Sequence, residues 1–168
     1  MVFVKSRRFD PKLRKAALAG GHPAPSDLPL RVCIAFTLVN QDDFNRRLTG
    51  FADRNSPTFG GRFSDEDLKK YERPQSDYEA VERWLTSYGI KILSVGTRAA
   101  FDPNIRAQGT VAEFESAMNV LIIQSANGYS RATTSYPQVP ASLGGIILSI
   151  RGLDNLSWYT GGTEVPCM

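Results

Sequence analysis

Residues 55–89 decide how the middle of this chain folds. They begin with the turn-forming sequence Asn55-Ser-Pro-Thr-Phe-Gly60 and continue with two segments that start like capped helices. Pro74 separates these segments, because proline does not continue a helix that precedes it. The stretch therefore predicts a turn, a short helix, a break and a second helix.

Both helices begin with the spacing of a capping box, in which two side chains three residues apart bond each other's backbone. Ser64 and Asp67 have this spacing in the short helix, and Ser76 and Glu79 have it in the longer one. Apolar side chains at helical spacing follow the second box, and a glycine stands where the helix should end. These residues are Tyr78, Val81, Leu85, Tyr88 and Gly89.

Strand patterns lie on both sides of this stretch. Apolar and polar residues alternate from Leu30 to Val39, which predicts a strand with one buried face, and Asn40 is expected to cap a helix after it. Residues 90–95 and 105–108 predict two adjacent strands, and residues 146–150 predict a last one. A third capping box and an apolar stripe predict the intervening helix: Thr110, Glu113, Val111, Phe114, Met118 and Leu121.

The main elements therefore run strand, helix, strand, strand, helix, strand, with the first helix interrupted. This is the split β-α-β order of ferredoxin-like folds. We predict an α+β domain over residues 29–155, with an antiparallel sheet and helices packed on one face. Residues 1–28 are expected to be a basic, disordered leader, and residues 156–168 a tail or the start of a linker.

The order of these segments resembles the activation prodomain of the sedolisin (kumamolisin-like serine-carboxyl) peptidases. The resemblance covers residues 30–155, and Thr110-Val-Ala-Glu-Phe114 is similar to the family's segment after its central hairpin. Phe59 stands where the family usually has tyrosine, so the ring is kept and the hydroxyl is lost. Further residues that carry the resemblance are Trp84-Leu85, Gly89, Val139-Pro140, Leu143 and Gly152-Leu-Asp-Asn155.

The resemblance implies a domain that helps a catalytic domain fold, covers its active site and is released by self-cleavage on acidification. The implied partner is the catalytic domain of a sedolisin-type peptidase, without a small-molecule cofactor. Relatives are secreted or lysosomal, although Met1-Val-Phe-Val4 runs into basic residues without the apolar segment of a signal peptide. We expect the compartment to be extracellular or lysosomal by this resemblance.

A partner interface is expected on the exposed face of the sheet or on residues 55–73. Carboxylates paired with a partner's cations would stay ionised above pH values near 4 and lose their pairing as the pH falls. Leu156-Ser-Trp-Tyr159 is expected to extend toward the active cleft as an added strand. The candidate interface residues are Pro57, Phe59, Asp65, Glu66, Asp67, Asp77, Asp154, Trp158 and Tyr159.

Catalytic residues are scarce. His22 is the only histidine and lies in the predicted leader, where no base would be held in place for a nucleophile. Family members carry their serine in a Ser-Gly-Thr-Ser type segment of the catalytic domain, and the nearest string here is Gly161-Gly-Thr-Glu164. We therefore predict no enzymatic activity for this chain alone, and no metal site, since structural zinc usually takes four Cys or His ligands.

Two other interpretations stay open. Six cations crowd residues 5–15 of a chain whose net charge is +3, and such an arm can bind nucleic acid. The other interpretation is that the chain is an inactive remnant of a prodomain. Cys33 and Cys167 pair only if the tail folds back onto the sheet, so two cysteines do not indicate the redox compartment.

Overall fold

A computed structural model of the chain describes residues 1–4, 19–96 and 103–155. A main hydrophobic core and a second, smaller cluster hold the helices and strands of these residues together. Their order is β1 (Val2–Phe3), β2 (His22–Pro23), β3 (Pro29–Phe36), α1 (Gln41–Ala52), α2 (Asp65–Lys69), α3 (Gln75–Thr86), β4 (Lys91–Val95), β5 (Asn104–Thr110), α4 (Val111–Met118), β6 (Ile122–Gln124), β7 (Arg131–Thr133), β8 (Gln138–Val139), a short 3-10 helix (Ala141–Leu143) and β9 (Ile147–Arg151).

The main sheet has four antiparallel strands in the order β4-β5-β3-β9. The first and last strands of the split β-α-β order are therefore neighbours, as ferredoxin-like folds require. This arrangement confirms the predicted α+β class. Because β3 pairs with β5 on one side and β9 on the other, it is a central strand that shapes the whole sheet.

The core lies between one face of this sheet and the helices α3 and α4. Along β3 the side chains of Leu30, Val32, Ile34 and Phe36 are almost fully buried, as the alternation predicted. Tyr78 of α3 stacks on Phe36, with ring centroids 4.4 Å apart. The same helix buries Val81, Trp84 and Leu85, and α4 buries Val111, Phe114, Ala117 and Met118.

Two of the three predicted capping boxes are confirmed. Ser64 and Asp67 bond reciprocally at the start of α2, and Thr110 and Glu113 do so at the start of α4. The third box is wrong, because α3 begins two residues earlier than expected, at Gln75 after Pro74, without a side-chain cap. Proline with its fixed φ suits a helix start, so the helix extends back to it.

The predicted end of α3 is confirmed, whereas the predicted cap of α1 is not. Gly89 follows α3 with a φ of +84°, a conformation that glycine adopts without strain. Asn40 precedes α1 in a left-handed conformation, with a φ of +53°, and its side chain makes no capping hydrogen bond. Asparagine tolerates that conformation better than most residues, so it serves as a bend between β3 and α1.

Described residues of the predicted leader pair with strands of the domain, which differs from the expected disorder. Val2–Phe3 pair with β8, and Val4 is 4% exposed and donates from its backbone to the Pro137 carbonyl. His22–Pro23 pair with β6, and Ala24 is also buried. The partner strands lie 100 to 137 residues further along the chain, so these pairings could not be predicted from local sequence. The domain boundaries themselves stay predictions.

Cys33 lies in the middle of β3 and is disulfide-bonded. The other cysteine of the chain, Cys167, is outside the described residues, as are the cations of residues 5–15 and the predicted strand around Trp158 and Tyr159. None of the helices in the described part of the chain has the length and apolar content needed to cross a bilayer.

Truncation of Leu85 to alanine should lower the free energy of unfolding by about 2–5 kcal/mol, because its side chain is fully buried between α3 and the sheet. Leu48→Ala is the matched control, since Leu48 lies on α1 and is 51% exposed, and it should change stability by about 0.5 kcal/mol or less. Urea unfolding of both variants measures the difference. Equal losses would contradict the placement of the core.

Candidate partner-binding surfaces

The turn after α1 presents two of the predicted interface residues to solvent. The Gly60 backbone donates to the Phe51 carbonyl over 3.0 Å, which closes the turn against the end of α1. Gly60 has a φ of +73°, so the chain reverses there at a residue without a side chain. Pro57 is exposed and Phe59 is 54% exposed. The turn is therefore ordered by its backbone and leaves both side chains available for contact.

A small aromatic cluster holds α1 and α2 together, apart from the main core. Phe63 stacks on Phe44 with centroids 4.7 Å apart, and Tyr71 packs edge-on against both rings. The Arg47 guanidinium lies 4.9 Å from the centre of the Phe63 ring. Stacked and edge-on rings stabilise such a cluster beyond the area that they bury. The helical unit of residues 38–71 therefore has its own packing.

A network of hydrogen-bonded charged side chains also connects α1 with α2 and Tyr71 in this unit. The Arg47 guanidinium donates to the Asp67 carboxylate over 3.1 Å and to the Tyr71 hydroxyl over 3.2 Å. Tyr71 in turn donates to Asp43 over 2.6 Å. The Arg47 pKa is raised above its ordinary value, because Asp67 and then Tyr71 accept its hydrogen bonds. The pKa of Asp67 is held well below its usual range by the hydrogen bonds from Arg47 and then from Ser64.

Arg73 fastens the helical unit to the sheet. Its guanidinium donates to Asp77 over 2.7 Å, to the Thr37 carbonyl over 2.6 Å and to the Gly145 carbonyl over 2.9 Å. These partners belong to the first turn of α3, the residue that follows β3 and the loop before β9. Both side chains of the Arg73–Asp77 pair are largely shielded from water, at 14% and 20% exposure. The pair therefore orients α3 against the sheet.

The predicted interface carboxylates consequently fall into two groups. Asp67 and Asp77 pair with arginines of this domain. Asp65 and Glu66, in the first turn of α2, are exposed. Asp154 is half-buried in the loop after β9. The structure thus does not bring these carboxylates together at one site.

The segment from Gly152 to Asn155 serves the scaffold. Gly152 has a φ of +99°, and a Cβ there would lie far inside contact distance of the Arg31 carbonyl oxygen. The Asn155 carboxamide accepts a hydrogen bond from the Arg131 backbone over 2.6 Å and donates to the Tyr129 carbonyl over 2.8 Å. This segment therefore connects the end of β9 to β7. Glycine is needed at position 152 because of the nearby Arg31 carbonyl, and asparagine is needed at position 155 for its two hydrogen bonds.

The face of the main sheet opposite the helices is the second candidate surface, and we call it the open face. Cys33 and Asn104 on it are nevertheless buried, and Cys33 is disulfide-bonded. The alternation of side chains along each strand, together with the strand register, assigns residues to it. Four of them are cations, which the sequence prediction missed because it requires the strand order. The open face carries Arg31, Cys33 and Ala35 of β3, Asn104, Arg106 and Gln108 of β5, Lys91 and Ser94 of β4, and Ser149 and Arg151 of β9.

Neither surface assembles a metal centre. Within residues 1–4, 19–96 and 103–155, no group of three or more His, Cys, Asp or Glu side chains is placed to hold a metal ion. His22 lies on exposed β2, with its Nδ1 3.0 Å from the Pro23 carbonyl oxygen.

Gly152→Ala should destabilise the domain by about 1–2 kcal/mol from backbone strain alone, and by more because of the contact with the Arg31 carbonyl. Gly145→Ala is the control, because a Cβ at Gly145 meets no atom within 4 Å. Thermal unfolding of both variants measures the difference. An alanine tolerated equally well at both positions would contradict the tight passage of β9 past β3.

Asp67→Asn should change how stability depends on pH. A carboxylate with a lowered folded-state pKa contributes stability above the unfolded pKa of about 4, and this contribution is lost as pH falls through the folded value. The wild-type domain should therefore lose stability as pH decreases below about 5. The variant should be less stable at neutral pH and have a flatter acid limb.

Urea midpoints across this pH range measure the effect of Asp67→Asn. Asp65→Asn serves as the control, because Asp65 is exposed in the same helical turn and lies outside the Arg47 network. It should keep the wild-type slope. A variant at Asp67 with an unchanged slope would show that the network does not control acid stability.

Comparison with protein families supplies the context for these surfaces. The family model of the pro-kumamolisin activation domain matches residues 17–156, which include the whole main sheet and all four described helices. A search of the curated proteins finds no match. Because the family model covers most of the chain, the protein belongs to the pro-kumamolisin activation domain family, the propeptides of sedolisin-type peptidases.

Proposed function

We propose that this chain assists the folding of a sedolisin-type catalytic domain and inhibits it until the surroundings become acidic. The observation that carries the proposal is the family match over residues 17–156, which spans the complete ferredoxin-like fold. In this role the chain supplies a preformed surface, and the chemistry of proteolysis belongs to the partner. The partner's native state is stabilised because the prodomain binds it and not the unfolded chain.

The structure offers a rigid surface of the kind that such a role requires. The main sheet is held by a continuous core, and Arg73 fixes the helical unit to it through hydrogen bonds to β3 and the loop before β9. A preorganised binding surface loses less conformational entropy on association than a flexible one. We propose that the partner contacts the open face or residues 55–73.

Acid release follows from ion pairs across the interface. Asp65 and Glu66 are exposed and free to pair with cations of a partner. Pairing lowers the pKa of a carboxylate, so the bound state is favoured above about pH 4 and loses this advantage as the pH falls. Binding should therefore be tight near neutral pH and weak in acid.

Addition of the purified chain to a separately expressed sedolisin-type catalytic domain tests the proposal. We expect binding near neutral pH, a dissociation constant that rises as the pH falls toward about 4, and a higher refolding yield of the denatured catalytic domain. Calorimetry and an activity assay measure these quantities. An unrelated serine peptidase is the control partner, and it should show neither effect.

Two results would contradict the proposal in different ways. Failure to bind any of several sedolisin-type catalytic domains would identify the chain as an inactive remnant. A dissociation constant that stays the same from neutral to acid pH would remove the acid-release part and leave the inhibitory part.

A further inference from the structure

Cys33 lies at the centre of the open face and is buried there. It pairs in the sheet with Arg106 on one side and Arg151 on the other, and it is only 9% exposed. Arg31, two positions earlier on the same face of β3, is exposed, whereas Asn104 of β5 is buried. The helices α3 and α4 pack against the opposite face, so they do not supply this burial.

The sulfur of Cys33 takes part in a disulfide bond. Such a bond joins two cysteines whose Cα atoms lie about 4.4–6.8 Å apart. The sequence of 168 residues contains one further cysteine, Cys167. A bond within the chain can therefore join Cys33 only to Cys167.

The described end of the chain lies close enough for this bond. Gly152 passes directly against the Arg31 carbonyl, and Arg31 is about 7 Å from Cys33 along the strand. The three residue steps from Gly152 to Asn155 add at most about 11 Å. Asn155 therefore lies within about 25 Å of Cys33. The twelve residues 156–167 reach up to about 40 Å when extended, so the second cysteine spans the gap with length to spare.

A bond between Cys33 residues of two chains is the competing arrangement. It would press the four cations of one open face against those of another, and like charges at such short range repel each other. The segment of residues 156–167 has the opposite character, since it contains no lysine or arginine and carries a carboxylate at Glu164. Glu164 is three residues from Cys167, within about 11 Å. Charge therefore favours the bond within the chain.

We infer that Cys33 and Cys167 form a disulfide bond that holds residues 156–167 across the open face, and we call this segment the strap. The inference does not depend on the proposed function, because it concerns this chain alone. With the bond in place, a partner that approaches the centre of the open face meets the strap first. Reduction of the bond releases the strap and makes the face accessible.

Formation of the bond requires an oxidant, and a small-molecule disulfide such as oxidised glutathione supplies it. Two successive thiol–disulfide exchanges break the S–S bond of this molecule and form the bond between Cys33 and Cys167. The two protein thiols lose two electrons and two protons, which leave with the two glutathione thiols. An excess of a reducing dithiol reverses the exchange, so the strap responds to the redox state of its surroundings.

Peptide mapping of the chain refolded in oxidised and reduced glutathione tests the bond itself. Trypsin cleaves after Arg31, Arg46 and Arg151, so the expected product is the peptide of residues 32–46 joined to that of residues 152–168. Reductant should separate the two peptides, and the intact chain should run as a monomer on a non-reducing gel. Alkylation of both cysteines before reduction, or a dimer linked through two copies of the first peptide, would overturn the inference.

Thermal unfolding measures the effect of the bond on stability. Cys167→Ser removes the bond and keeps Cys33, and Met168→Ser is the matched control at the next position. Because the bond closes a loop from residue 33 to residue 167, it restricts the unfolded chain. Reduction should lower the unfolding temperature of the wild type and of the control by about 5 °C or more. Cys167→Ser should have the lower value with or without reductant. A wild type that does not respond to reduction would contradict the bond.

Alkylation of Cys33 tests whether the strap covers the face. In folded Cys167→Ser, iodoacetamide should react with Cys33, because the released strap uncovers its sulfur. The double variant Cys33→Ala, Cys167→Ser is the blank. Reaction of Cys33 only after unfolding in urea would show that the sheet alone buries this residue, and would overturn the covering of the face.

Limited digestion with chymotrypsin measures the same covering at the other end of the strap. Cleavage after Trp158 and Tyr159 should be slower in the oxidised wild type than in Cys167→Ser, because proteases cut exposed, loosely held segments. Tyr129, which is 83% exposed in the turn before β7, is the internal reference, and its cleavage should not depend on the bond. Equal cleavage of the strap in both proteins would contradict its position on the sheet.

Discussion

The pairing of β3 between β5 and β9 is the constraint on which the rest of this structure depends. It places Leu30, Val32, Ile34 and Phe36 in one row against the helices, where they form the centre of the core. Because side chains alternate along a strand, the same pairing sends the polar residues between them to the other side. Burial of the apolar row therefore determines both the position of α3 and α4 and the composition of the open face. A shift of one residue in this register would exchange the two faces.

The helical side and the open face differ in whether their charged side chains form ion pairs. On the helical side, Asp67 and Asp77 are engaged by Arg47 and Arg73, so these charges serve the domain itself. The Arg47–Asp67 pair joins α1 to α2 within the 38–71 unit, and the Asp67 pKa is held well below its usual range by this pairing. The open face holds cations without such partners.

Local sequence predicted elements well where the deciding interactions are local. The boxes at Ser64 and Thr110 were read correctly because each joins residues three positions apart. The box at Ser76 was wrong because Pro74 offers an equally local and competing helix start. The pairing of Val2–Phe3 with β8 was not predicted, since two residues carry no periodicity and their partner is remote in sequence. The same limit applies to the candidate interface: the exposure of Phe59 agrees with its place in a turn, but the internal pairing of Asp67 depends on Arg47, twenty residues earlier.

By itself, the sequence determined the α+β class, the order of the main elements and the family resemblance, because periodicity, capping and turn residues act over a few positions. Only the tertiary structure decided which charged side chains form ion pairs within the described domain and which do not. It placed Arg31, Arg106, Lys91 and Arg151 on one surface, although they come from four strands that span residues 29–151. The tertiary structure also explains why residue 152 is a glycine, because the Arg31 carbonyl leaves no room for a Cβ there. Both results depend on strand register, which arises from burial of the whole apolar row and is absent from any short stretch of sequence.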